Sequence, residues 1–193
     1  SRPGYGSSTM DSSLSALDDN MACLRAFLDR RIARPCVGIG LSNGIVPLLA
    51  EEQAHPGRFA SLVAVGYTGI LDRSGMDRLP PIPRTMLRLV NRAPWLVELM
   101  AKSGHRMMQQ HGVDWYLERA YRNTPRDQAT CGDPNALALL RSASAHLLMQ
   151  GHGTFVRDLQ LIRAPVDDAL DTLGVQMLWL APMEDGVFDE ARY

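Results

Sequence analysis

Hydrophobic side chains recur at Leu14, Leu17, Met21, Leu24 and Leu28. Spacings of three and four put them on one face of a helix, which predicts an amphipathic helix over residues 13–30. Asp11 or Ser12 is expected to cap its start, and Arg34-Pro35 to stop it. The next stretch, Cys36–Leu41, is apolar on both faces. That pattern predicts a strand of a parallel sheet covered by helices. Residues 45–54 suit a second helix, with Pro47 near its start, where a missing N–H costs least. His55-Pro56-Gly57-Arg58 then breaks the chain, and Ser61–Gly66 reads as a second buried strand.

After Gly66 the pattern changes. Residues 67–84 carry glycine, proline and charge, ending Leu79-Pro80-Pro81-Ile82-Pro83, and predict a hinge-like loop. Residues 85–160 read as helical throughout. Leu87, Val90, Trp95, Leu96, Leu99 and Met100 predict one or two short helices broken at Pro94. Trp115, Leu117, Ala120 and Tyr121 mark another. A third starts at Asp133-Pro134 and carries Leu137, Leu140, Ala143 and Leu147; Phe155, Leu159 and Ile162 mark a fourth. A connector over residues 165–174, ended by Gly174, leads to a third buried strand, Val175–Leu180. Alternating helices and strands, interrupted by a helical block, predict an α/β fold: a parallel sheet flanked by helices with a helical cap inserted.

Composition narrows the classes without choosing one. A chain of 193 residues with 46% hydrophobic content suits one domain, or one domain with an inserted lid. A net charge of −1 leaves no electrostatic footprint for nucleic acid or an anionic membrane surface. Cys23, Cys36 and Cys131 are widely spaced, which argues against a disulfide framework or a zinc site and fits a reducing, cytoplasmic setting. No apolar run reaches membrane-spanning length; the stretch from Met86 to Met100 is cut by Arg88 and Arg92.

The chemistry concentrates at Gly40-Leu41-Ser42-Asn43-Gly44, a Gly-x-Ser-x-Gly run between a predicted strand and a predicted helix. In that context a serine is held on a sharp turn with its hydroxyl exposed. Gly40 and Gly44 are expected where a strained serine backbone leaves no space for side chains. The same residues, from Gly38 on, also form a Gly-x-Gly-x-x-x-Gly run. A dinucleotide site would need an acid closing the next strand, and Val63-Ala64-Val65-Gly66-Tyr67 has none.

With these neighbours the chain resembles the α/β-hydrolase superfamily. Arg2-Pro3-Gly4-Tyr5-Gly6-Ser7-Ser8 resembles the family's loop after its fourth strand, residues 40–44 its nucleophile elbow, and His55-Pro56-Gly57-Arg58-Phe59 the lead into the next strand. Ala181-Pro182-Met183-Glu184-Asp185-Gly186-Val187-Phe188 resembles the acid-bearing loop, with Pro182 where the family usually has glycine. The resemblance implies a hydrolase core over residues 1–66 and 161–193, a cap or lid over 67–160, and further strands before and after this stretch. It implies Ser42 as nucleophile, the Asn43 backbone N–H as one oxyanion donor, and Asp185 rather than Glu184 as the acid. The triad histidine is expected beyond residue 193.

Of the histidines present, His55 sits in the chain break, and His105, His111, His146 and His152 fall in the cap, away from the family's catalytic position; His152, in Gly151-His152-Gly153, is the one that could face the cleft. No metal and no cofactor are expected. Met86, Met100, Met107, Met108 and Met149 suggest either a loosely specified core or an adaptable apolar pocket. The reading that follows is hydrolysis of an ester or related acyl bond in a small apolar substrate, through an acyl-enzyme. The alternative is a hydrolase-fold sensor that binds a small ligand without catalysis, as in domains fused to bacterial helix-turn-helix regulators.

Overall fold

The computed structural model describes residues 3–5, 7–67, 76–77, 79–122, 125–149, 152–164, 166 and 173–180, without the side chains of residues 126 and 146–149. Helix α1 (Ala16–Arg31) begins later than the expected cap. Ser15, not Asp11 or Ser12, is the capping residue, its hydroxyl accepting from the Asp18 N–H at 3.1 Å. Asp11 instead closes a local turn on the Ser13 N–H at 2.9 Å, the alternative use short polar side chains make of nearby backbone. Leu17, Met21, Leu24 and Leu28 then face the core, as their spacing predicts.

Strands β1 (Cys36–Leu41), β2 (Phe59–Val65) and β3 (Gln176–Leu180) form one parallel sheet in the order β1-β2-β3. Ile39 pairs with Val63 and Val63 with Leu178; Leu41 pairs with Val65 and Val65 with Leu180. All three strands therefore finish at the same edge, and β1 and β3 stand about 10 Å apart there, two strand spacings. Between β1 and β2 runs α2 (Val46–Ala54), with proline in its first turn as expected.

The turn from α2 into β2 is fixed by two buried carboxylates. Glu52 accepts from the Gly57 N–H at 2.7 Å and the Phe59 N–H at 3.0 Å. Glu51, fully buried, accepts from Arg25 Nη2 at 3.1 Å and lies 3.1 Å from His55 Nδ1 without hydrogen-bond alignment. Arg58 bonds Asp29 of α1. His55 thus has the structural setting its place in the chain break suggests.

Helices α1 and α2 cover one face of the sheet, where Leu62, Ala64, Leu49 and Ile45 form the centre of the main core. The other face departs from the two-sided burial expected of β1. Ile39 is 69% and Leu41 71% exposed, and Val37 and Leu178 are also exposed. On this strand the covered face is made by Gly38 and Gly40 with half-buried Cys36, so the large aliphatic side chains Val37, Ile39 and Leu41 lie on the other face.

The helical block contains α3 (Pro81–Leu89), α4 (Pro94–His111), α5 (Val113–Tyr121), α6 (Pro125–Cys131), α7 (Pro134–Met149) and α8 (His152–Ile162). The expected loop through residue 84 ends earlier, because Pro81 and Pro83 fall in the first turn of α3, where their missing N–H groups have no intrahelical role. Helix α6 falls inside the stretch expected to be helical throughout, although it is short and polar, with no apolar stripe to mark it as a separate helix. Met86 packs against the small core of Val90, Val97 and Val156, Met108 is buried, and Met107 is exposed. Among the described residues no helix is long and apolar enough to cross a membrane.

Leu62→Ala should cost about 2–5 kcal/mol in equilibrium unfolding, as deletion in a fully packed site does. Val37→Thr, on the open face, should cost under about 1 kcal/mol. An equal cost at both positions in denaturant melts would mean that the face bearing Val37 is covered in solution.

Candidate functional site

The site is built where β1 ends. Ser42–Ile45 form one turn of 3-10 helix that leads directly into α2. Among the described residues other than glycine, Ser42 alone has positive φ, at +51°. Such a backbone costs on the order of 1 kcal/mol or more and persists only where the surroundings impose it. They do so at Gly40: a Cβ there would lie 2.3 Å from Ile45 Cα and 2.5 Å from Ile45 N. The chain folds back so tightly that β1 and the start of α2 touch through a residue with no side chain. Gly44 is different. A Cβ built there meets nothing within 4 Å, so the expected steric need for the second glycine is absent.

Ser42 is exposed at the sheet edge reached by the carboxyl ends of all three strands, the edge at which open α/β sheets bind ligands. Among the described residues, no group hydrogen-bonds to its hydroxyl. His55 neighbours Glu51 at the far end of α2, His111 stacks on Trp115 with ring centroids 4.8 Å apart, and His105 bonds His152. The side chain of His146 is outside the described residues. So are Glu184 and Asp185, although the strand that leads to them, β3, ends level with β1.

Asn43 has a role that its sequence position did not reveal. Its side-chain amide donates to the backbone carbonyl of Asp158 in α8 at 3.2 Å. The Asp158 carboxylate in turn accepts from the Tyr5 hydroxyl. Next to these, Thr154 Oγ1 donates to the Gly4 carbonyl at 3.3 Å, and Gly4, at φ +79°, could carry no Cβ without approaching Thr154 Oγ1 to 2.6 Å. Arg157 adds bonds to the Leu14 and Ser15 carbonyls, both at 3.0 Å, and to buried Asp19 at 3.2 Å. One helix therefore grips the N-terminal segment, α1 and the serine turn together. Tyr5 lies in the Gly-Tyr-Gly run near the start of the chain, but its partner is 153 positions away, and no local pattern links them.

A cleft of about 390 Å³ lies elsewhere, among α5, α6 and α7, lined in part by Leu117, Tyr121, Cys131 and Leu137. An Arg141–Asp114 pair, 2.7 Å apart, borders it, and hydrogen bonding to Arg141 holds the Asp114 carboxyl below its usual range. Burial, then the neighbouring Tyr116, Asp127 and Cys131, push the Tyr121 hydroxyl up. None of its lining residues belongs to the serine turn. Among the described residues no group of three or more histidine, cysteine or carboxylate side chains could hold a metal ion.

No protein-family model matches this sequence, and no curated protein matches it. Among solved structures it is similar to MGS-M2, an alpha/beta hydrolase enzyme from a Medee basin deep-sea metagenome library, with a TM-score of 0.55 and 14% sequence identity. The match covers 96% of this chain and 61% of that one, so this chain spans about three fifths of its neighbour's length. The fold is accordingly α/β-hydrolase-like: a parallel sheet flanked by helices, with a serine turn where the first described strand ends.

Gly40→Ala should destabilise the protein by about 1–3 kcal/mol through overpacking against backbone that cannot move aside. Gly44→Ala should change stability by no more than about 0.5 kcal/mol. Thermal melts of the two variants check the asymmetry; equal losses would contradict the close approach at Gly40.

Proposed function

We propose that the chain carries the nucleophile of a serine hydrolase that cleaves an ester or related acyl bond of a small, apolar substrate. The observation that carries this reading is the left-handed backbone of Ser42 on a tight strand-to-helix turn, at the edge formed by the carboxyl ends of the strands of a hydrolase-like sheet. Strain of this kind has no packing benefit for an exposed serine, and it aims the hydroxyl out of the turn.

In the proposed reaction Ser42 Oγ attacks the substrate carbonyl carbon while a histidine takes its proton. The negative charge that develops on the carbonyl oxygen is met by the Asn43 backbone N–H at the start of the helical turn. Collapse of the tetrahedral species expels the alcohol, which leaves with the proton from the histidine. Water then attacks the acyl-enzyme by the same route and releases the acid. Asp185 is the proposed partner of the histidine, with Glu184 as the less favoured choice. Neither the histidine nor a second oxyanion donor is assigned to a described residue. Helices α3 to α7 form the proposed cap that shapes the substrate pocket, and α8 connects it to the serine turn.

That no described residue bonds the Ser42 hydroxyl favours a second reading, in which the same fold binds a small ligand as a sensor and performs no chemistry. Labelling with a fluorophosphonate separates the two. An activated serine should be labelled at Ser42, and Ser42→Ala should abolish labelling, as should Asp185→Asn more than Glu184→Gln. Labelling that persists in Ser42→Ala would remove this residue from the mechanism. Absence of labelling, with saturable binding of small apolar ligands, would favour the sensor.

A further inference from the structure

We propose that His105 and His152 form a proton-operated latch that holds the carboxyl-terminal half of α4 against α8, closed when at least one ring is neutral and released when both are charged. His105 Nδ1 and His152 Nε2 are 2.8 Å apart, and the rings meet edge to face with centroids 4.7 Å apart. A hydrogen bond between two imidazole nitrogens needs one donor and one acceptor, so the contact exists only while one ring keeps a lone pair. With both rings protonated, two donors and two positive charges face each other across the same gap.

The position of the pair turns this local event into a movement. Arg157, Thr154 and the Asn43 bond fasten α8 to the core. Helix α4 is held to α8 at its other end by apolar contact, through fully buried Val97 and buried Val156 with Val90 and Leu159. His105 lies eight residues beyond Val97, about 12 Å along the helix. The valine contact is thus a pivot and the histidine pair a clasp roughly two turns away. Opening the clasp frees the end of α4 that leads through Gly112 into α5 and the cleft beyond it.

The neighbouring charges favour release in acid. Lys102, one turn before His105, is paired with Glu98 at 3.0 Å. Burial, then His105 and Lys102, hold His152 below the ordinary imidazole value of 6.5, against a smaller opposing effect of Glu98. Among the described residues, charged groups on the other packed elements make pairs of their own: Arg157 with Asp19, Asp158 with Tyr5, Asp114 with Arg141, and Arg84 and Arg88 with Asp77. Arg119 lies over Trp115, and His111 stacks on that same ring. The N-terminal segment contributes uncharged Met10, 3.8 Å from a Cβ built on Gly153. Because the folded value is depressed, the stabilisation is complete above the ordinary value of 6.5 and is lost as pH falls through the lower, folded one.

Hydrogen exchange of the whole chain tests the latch independently of any hydrolase activity. After correction for intrinsic rates, opening of residues 101–111 should increase as pH falls from the ordinary imidazole value towards the lower, folded one, by at most about tenfold per pH unit, and level off below it. Strands β1 and β2 should not follow. His105→Phe and His152→Gln should each abolish that slope, and His111→Gln should retain it. A slope absent from the native chain, or kept in both latch variants, would overturn the proposal. If the variants do not fold, ring titration of the native chain by NMR decides. Two coupled steps, the second below the ordinary range, are expected; independent titration of both rings at the ordinary value would overturn the latch.

Discussion

The described structure depends on the contact between Gly40 and the backbone of Ile45. A chain leaving a parallel strand must reverse to lay its next helix on the sheet. Here it does so within four residues. The reversal brings α2 close enough for Ile45, Val46 and Leu49 to reach full burial against Leu62. The same geometry forces Ser42 into a left-handed backbone and leaves its hydroxyl in solvent. Packing of the helix and exposure of the serine hydroxyl are two results of one turn. Any side chain at position 40 would push strand and helix apart and lose both.

Helix α8 is the second organising element. It carries the polar residues that connect parts of the chain far apart in sequence: Thr154 to Gly4, Arg157 to the start of α1, and the Asp158 carbonyl to Asn43. Its other face packs Val156 and Leu159 against α3 and α4. Buried bonds such as Arg157–Asp19 add little net stability, but removing one partner strands a buried charge, so they specify how the helix docks. The helical block is therefore not simply suspended above the sheet. Through α8 it touches the residue that follows the serine, and any shift of α8 is felt at the Asn43 amide.

The sheet is asymmetric. One face is sealed by α1 and α2, while the other presents Ile39, Leu41, Val63, Leu178 and neighbouring apolar side chains in adjacent register. Parallel sheets are ordinarily covered on both faces because their strands are apolar throughout. The exposed apolar surface here is continuous rather than scattered, and the edge strands β1 and β3 flank it. Alternation within β1 explains the imbalance: glycines take the sealed face, so this strand contributes almost no side-chain volume to the core. Phe59 and Leu62 fill the space over Gly38 instead.

Local pattern alone determined the elements near the serine. The bounds of β1 coincide with the apolar run Cys36–Leu41, and β2, β3 and α2 begin or end within two residues of expectation, because apolar runs, prolines and glycines act over a few positions. The serine turn was legible for the same reason: its requirement at Gly40 is imposed by a residue five positions on. The cap of α1 was misplaced because Asp11, Ser12 and Ser15 are alike as capping residues, and only the docking of Ala16 and Asp19 selects among them. Short polar α6 had no periodicity to read. What tertiary structure alone decided is long-range: the open face of the sheet, the anchoring of Tyr5 and Asn43 to α8, and the meeting of His105 with His152. Each depends on which elements become neighbours in space, and composition and spacing within one segment carry no record of that.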